Sequence, residues 1–188
     1  MESESQVSNQ ELEFIQSGKY SDVHYDRTRK VFIKTFTPKA FDRFRYITGI
    51  RPAPGTNFMK VAQRLTQLGI KVPEVLVARP YYLEMRDVEG VQLRELLPDN
   101  PDLQQKYVDL IVTLYRHHVY CRGLHTKNFL VKEGELVAID LDAYKLPRLF
   151  KYSGQDFLEK LKRSLNGEVP ENYLYLRIVK ALGITNAP

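Results

Sequence analysis

The stretch YCRGLHTKNFLVKEGELVAIDLDAYK, residues 120 to 145, restricts the fold of this chain more than any other. An apolar run, NFLV, opens on Asn128. A charged turn, KEGE, follows, and a second apolar run, LVAID, closes on Asp140. Two apolar runs about a glycine-containing polar turn predict a β-hairpin. Gly134 is the midpoint of 128 and 140, so a hairpin folded there sets Asn128 and Asp140 side by side at its open end. Two converging oxygen donors suit a hard cation such as Mg²⁺, which takes few protein oxygens and fills its shell with water and phosphate. An ordinary surface hairpin with polar ends has the same pattern.

The 188 residues suffice for one domain or two small lobes with a real core, and a 43% hydrophobic content with 12 Tyr and 9 Phe is that of a globular protein. One cysteine, Cys121, excludes an internal disulfide and a cysteine-based metal cluster, and fits a reducing compartment. No apolar run reaches the ~18 residues of a membrane span. The start, MESESQVSNQ, is acidic and polar rather than a secretory signal, and residues 1–12 are expected to be a disordered lead-in. Charge is uneven. Residues 27 to 73 hold eleven Lys and Arg and a single acid, Asp42, so that segment is +10 and the remainder −5. Such a field attracts phosphates or anionic lipid. No nucleic-acid-binding motif accompanies it, so a basic nucleic-acid domain is the weakest alternative.

Patterning predicts strands in LEFIQSG, SDVHYD and KVFIKTF. KAFDRFRYITG stays open between loop and short helix. TNFMKVAQRLTQLG predicts a helix with Thr56 as its cap, Phe58, Val61, Ala62, Leu65 and Leu68 on one face, and Gly69 after its end. EVLVA and YYLEMRDV read as two more strands. After Gly90 the pattern becomes helical: QLRELL, then DLQQKYVDLIVTLYRHH with Leu103, Tyr107, Leu110, Ile111 and Leu114 on one face. The hairpin and two closing helices, near 154–165 and 171–182, follow, with Gly167 and Gly183 after their ends. The expected architecture is α+β and two-lobed: a sheet lobe with one helix over 13–89, then a reduced helical lobe over 90–188. The join lies near 86–90.

Four pieces stand in a definite order: SGKYSDV with a turn glycine, VFIK ending on Lys34, YYLEMRDVEGVQL, and the opening stretch. In this order they resemble the protein-kinase-like fold. VFIK resembles the third-strand lysine motif, YYLEMRDVEG the hinge that holds adenine, CRGLHTKNFLV the catalytic loop, and AIDLD the metal-binding aspartate segment. Within that fold, GIKVPEVLVA and LHTKNFLV resemble the bacterial lipopolysaccharide core kinases, which phosphorylate heptose or Kdo sugars in the cytoplasm, and especially their small toluene-tolerance-type relatives. The resemblance implies ATP and Mg²⁺ as cofactors. Lys34 would neutralise phosphates, Gly18 would admit them close to the backbone, and backbone groups of Arg86 and Val88 would bond adenine. Asn128 and Asp140 would hold Mg²⁺. It further implies a monomeric cytoplasmic enzyme acting on a core sugar or other anionic acceptor. The basic first lobe adds peripheral contact with an anionic inner-membrane surface.

The pattern breaks in three places. Cys121-Arg122-Gly123 replaces His-x-Asp, so the usual base is missing. No acid lies between Arg51 and Pro73, where a helix Glu should pair with the strand lysine. The nucleotide loop has one glycine. His125 or Asp142 could take the base's role, because positioning and charge neutralisation carry most of a loose phosphoryl transfer. A pseudokinase that binds nucleotide or a partner without transfer is the alternative.

Overall fold

The computed structural model describes residues 12–18, 20–146, 153–165 and 171–184. Residues 1–11 of the expected lead-in and Gly167 lie outside this set, and Leu12, the last residue of that expected lead-in, begins the first strand. The chain divides into two compact units. The first takes residues up to Thr56 together with Glu74–Asp87, and the second takes Asn57–Pro73 and Val88 onward.

The first unit is a five-stranded antiparallel sheet in the order β1-β2-β3-β5-β4, formed by β1 (Leu12–Ser17), β2 (Ser21–Asp26), β3 (Val31–Phe36), β4 (Val75–Arg79) and β5 (Tyr82–Arg86). Burial in the inner strands falls on both faces of the sheet: Val31, Ile33, Lys34 and Phe36 are buried in β3, and Leu83 and Glu84 in β5. The open segment after β3 folds as a helix, α1 (Ala40–Ile47). Its end is tied by Thr48 N–H to the Phe44 carbonyl and Arg51 N–H to the Arg45 carbonyl.

Helix α2 (Pro54–Gln67) starts two residues before the expected cap, so Thr56 is its third residue. Proline suits a first helical position, where its missing N–H costs nothing. Gly55 follows because a Cβ there would stand 2.0 Å from the Arg79 carbonyl oxygen. Phe58, Val61, Ala62 and Leu65 are buried as the periodicity requires, Leu68 is half-buried, and Gly69 is left-handed at φ +76°. Most of α2 belongs to the second unit.

In the second unit, β6 (Val91–Gln92) runs into the single turn of α3 (Leu93–Leu96). Helix α4 (Pro101–Arg116) is capped by Asn100, whose side-chain oxygen accepts from Leu103 N–H at 3.0 Å, with Pro101 in the first turn. Its five expected face residues are all buried. β7 (Tyr120–Cys121) pairs with β10 (Tyr144–Lys145), and β8 (Phe129–Lys132) lies between β6 and β9 (Glu135–Ala138). Helices α5 (Gly154–Leu165) and α6 (Glu171–Leu182) fall where the sequence places them, and α6 packs on α4 and α5. Among the described residues, no helix is long and apolar enough to cross a membrane.

Candidate active site

Lys34 sits in mid-β3, 7% exposed, opposite Val23 of β2 and Leu83 of β5, with its Nζ 5.6 Å from the Phe36 ring centroid. Directly paired residues share a sheet face. The next row on the Lys34 face is therefore Tyr25–Phe32–Met85. The Tyr25 and Phe32 rings lie 4.7 Å apart, and the Tyr25 hydroxyl donates to Asp87 Oδ2 at 2.9 Å. Asp87 N–H in turn donates to the Lys30 carbonyl. Sequence reading passed over this row, although period-two counting back from Lys34 reaches Phe32.

The buried acid of β5, Glu84, pairs with Ile33 and so occupies the face opposite Lys34. It accepts from the Tyr82 hydroxyl and from the Arg29 guanidinium. The Tyr82 hydrogen bond, with Arg29 behind it, holds its carboxyl below the usual glutamate range despite burial. Burial and the bond to Glu84 push the Tyr82 phenol up to about 12. This acid is committed to the sheet.

Gly18 closes the β1–β2 connection by donating its N–H to the Ser21 carbonyl at 2.7 Å. A Cβ at 18 would press on Ser21 O and Oγ at 3.3 Å. Arg86 ends β5 with its N–H bonded to the Glu74 carbonyl and its guanidinium on the Glu74 carboxylate at 2.7 Å. Of its two backbone groups, the carbonyl is the one that could meet a base. Val88 opens the second unit and is half-buried.

The other expected site residues belong to the second unit. The hairpin forms, but its register is Phe129↔Ala138 through Lys132↔Glu135, with a two-residue turn at Glu133 (φ +53°) and Gly134 (φ +75°). The axis thus falls between 133 and 134, not on Gly134. Asn128 faces Ile139, whose N–H donates to the Asn128 carbonyl at 3.0 Å, and Asp140 is one residue further on. Two positive φ values favour the primed turn whose twist matches paired strands. At Asp140 the backbone is left-handed (φ 57°, ψ 46°), and a single 3-10 turn, Leu141–Ala143, follows. Aspartate tolerates that region better than most residues, and such conformations cluster at functional sites.

The loop before the hairpin is pinned at several points. The Tyr107 hydroxyl donates to the Leu124 carbonyl at 2.6 Å, Arg122 N–H to the Ala143 carbonyl, and Gly123 N–H to Cys121 Sγ. Burial pushes the Cys121 thiol up to about 12, which disfavours the thiolate. Asn128 Nδ2 donates to the Gly123 carbonyl at 2.8 Å, which leaves Oδ1 as the amide's remaining acceptor. A Cβ at 123 would come within 2.7 Å of that same Nδ2. The missing base and the seat of Asn128 are therefore one local feature. His125 is half-buried and its carbonyl accepts from Asn128 N–H, and Asp142 is half-buried in the 3-10 turn.

Among the described residues, no three His, Cys, Asp or Glu side chains group as a metal cage. A cation held by Asn128 Oδ1 and the exposed Asp140 would rely on water and phosphate for its other ligands, as Mg²⁺ does. A cavity of about 220 Å³ in the second unit, lined by Lys71, Lys106, Asp109 and Glu135 among others, includes none of the expected site residues.

No protein-family model matches the sequence, and no curated protein matches it. Solved structures do match. The streptomycin–ATP ternary complex of APH(2″)-IIa aligns with a TM-score of 0.60 at 9% identity, covering 93% of this chain and 79% of that one. The ADP-bound aminoglycoside phosphotransferase APH(2″)-Ib gives 0.61 at 9%, covering 96% and 79%. The gentamicin complex of APH(2″)-IIa gives 0.59 at 10%, covering 93% and 77%. The fold is thus the protein-kinase-like fold of these phosphotransferases.

Proposed function

We propose that this chain is an ATP- and Mg²⁺-dependent phosphotransferase whose acceptor is a sugar hydroxyl of the lipopolysaccharide inner core or a similarly anionic small molecule. The observation that carries the proposal is the seat of Asn128. Its amide is fixed to the Gly123 carbonyl, with its oxygen left over, in a hairpin that delivers Asp140 in a left-handed turn. Both donors are hard oxygens, and the set fits Mg²⁺. Bound there, the cation would bridge ATP phosphates and spread the charge of the transferring group. Lys34, buried in β3, would place a fixed positive charge against phosphate. The aromatic row of Tyr25 and Phe32 would offer a flat apolar face to a base, with the Arg86 carbonyl and Val88 N–H as polar partners. His125 or Asp142 would take the acceptor's proton.

One observation favours a second reading, a pseudokinase. Gly123 brings no carboxylate to the loop, and a side chain there would displace Asn128. Melting with and without Mg·ATP tests nucleotide binding, and transfer from γ-labelled ATP to core oligosaccharide separates the readings. Label in the oligosaccharide supports the enzyme. Stabilisation by Mg·ATP with no label in any acceptor supports the pseudokinase.

A further inference from the structure

Helix α1 is built inside out. Its half-buried residues are Asp42, Arg45 and Tyr46, and Tyr46 packs toward Tyr81 with ring centroids 6.2 Å apart. Its apolar residues point the other way: Phe41 is 72% exposed, Phe44 61% and Ile47 76%, with Ile50 close behind at 59%. Phe41, Phe44 and Ile47, three apart, share one side of a helix, and Arg43 and Arg45 fall on its two edges. Arg45 reaches from its edge over the Phe41 ring at 5.7 Å. Lys39 and Arg43 are exposed. Asp42, the sole acid of residues 27 to 73, lies on the inner side, 3.9 Å from Arg45.

A bare aromatic and aliphatic ridge on a folded unit marks a surface that something covers. Its charge says what. A protein partner matched to this ridge would need an acidic rim on every side, whereas an anionic bilayer offers an apolar interior beneath a continuous layer of phosphates. Apolar residues flanked by Lys and Arg on the polar edges are the pattern of helices that lie in the membrane interface. The helix is short, but Tyr46 and the Arg51–Arg45 backbone bond hold it in place, so it need not fold on contact. We propose that α1 is an interfacial anchor: Phe41, Phe44, Ile47 and Ile50 enter the headgroup layer of an anionic membrane while the flanking Lys39, Arg43 and Arg45 meet its phosphates. This inference stands without the phosphotransfer reading.

The full chain contains no tryptophan, so Phe44→Trp is a single reporter. Its emission is expected to shift to the blue, and to lose access to iodide, on vesicles of phosphatidylcholine mixed with phosphatidylglycerol. Co-sedimentation with these vesicles is expected to exceed that with pure phosphatidylcholine by ~10-fold at low salt and to fall as salt rises. The Phe41→Ser/Phe44→Ser double variant is expected to lose ~10-fold or more of that binding with an unchanged melting temperature. Arg43→Glu is expected to lower the preference for phosphatidylglycerol. Absence of sedimentation on either vesicle overturns the proposal. So does binding that the double variant retains, since charge alone would then carry it. A wild-type dimer in light scattering that the double variant breaks also overturns it, because a second copy would then cover the face.

Discussion

Two carboxylates, one in each unit, sit in opposite settings. Glu84 is 8% exposed in β5, an inner strand of the sheet, held by Tyr82 and Arg29. Asp140 is exposed, at the end of a hairpin, on a left-handed backbone. The first has its charge answered within the fold and stabilises the sheet. The second lies at the surface in a left-handed conformation that β-branched residues avoid. The contrast puts Glu84 in the fold's own structure and motivates the proposal that Asp140 holds a cation.

The comparison breaks most readily at Asp140. Asp140→Asn keeps a residue that tolerates the left-handed region, so the melting temperature should hold, while transfer should fall ~10³-fold, as losing a metal's charge stabilisation of several kcal/mol does. A folded variant with full activity would make Asp140 as structural as Glu84. Next in size is His125→Ala, expected to lower transfer ~10²-fold if the histidine supplies the base. An unchanged rate would pass that role to Asp142.

On the structural side, Arg29→Met leaves Glu84 buried with one partner fewer. We expect a modest fall in the midpoint of urea unfolding, modest because Arg29 is partly exposed. The pH sign follows from the lowered carboxyl. Glu84 contributes stability above the ordinary glutamate value of 4.5, and that contribution is lost as pH falls through its lower folded value. Removing Arg29 narrows the gap between the folded and unfolded values, so the acid-side loss should be smaller in Arg29→Met and the two proteins should converge in stability at low pH. Identical acid profiles for the two proteins would remove Glu84 from the stability account. The smallest effect is expected at Gly123→Ala, where the methyl group meets the Asn128 amide. Transfer should drop ~5-fold, the scale of one displaced hydrogen bond of about 1 kcal/mol, with little change in stability.

Much of this was legible in the residues. The long apolar stripes of α2 and α4 determined those helices, because each buries one apolar face: Phe58, Val61, Ala62 and Leu65 in α2 and seven residues in α4. The hairpin was legible but its axis was not: a two-residue turn over Glu133 and Gly134 moves the centre by half a residue, which midpoint counting about a glycine cannot detect. Thr56 looked like a cap because threonine is a good one, but the approach of Gly55 to Arg79 starts the helix at Pro54. α1 stayed ambiguous because its apolar residues face outward, so burial never gave its period a target. The two-residue strands β6, β7 and β10 are too short for any pattern. Tyr25 and Asp87, 62 residues apart, meet only through the pairing of β2, β3 and β5.

The most direct test of the central claim is the melting temperature of the wild-type chain with Mg·ATP at about a hundred times its dissociation constant. Binding linkage predicts about 2.7 kcal/mol of stabilisation, or roughly 5–10 °C for a chain of this size. The account further predicts that chelating the metal, or Asp140→Asn, removes most of that shift. No shift at any Mg·ATP concentration, or one that neither change reduces, would contradict it.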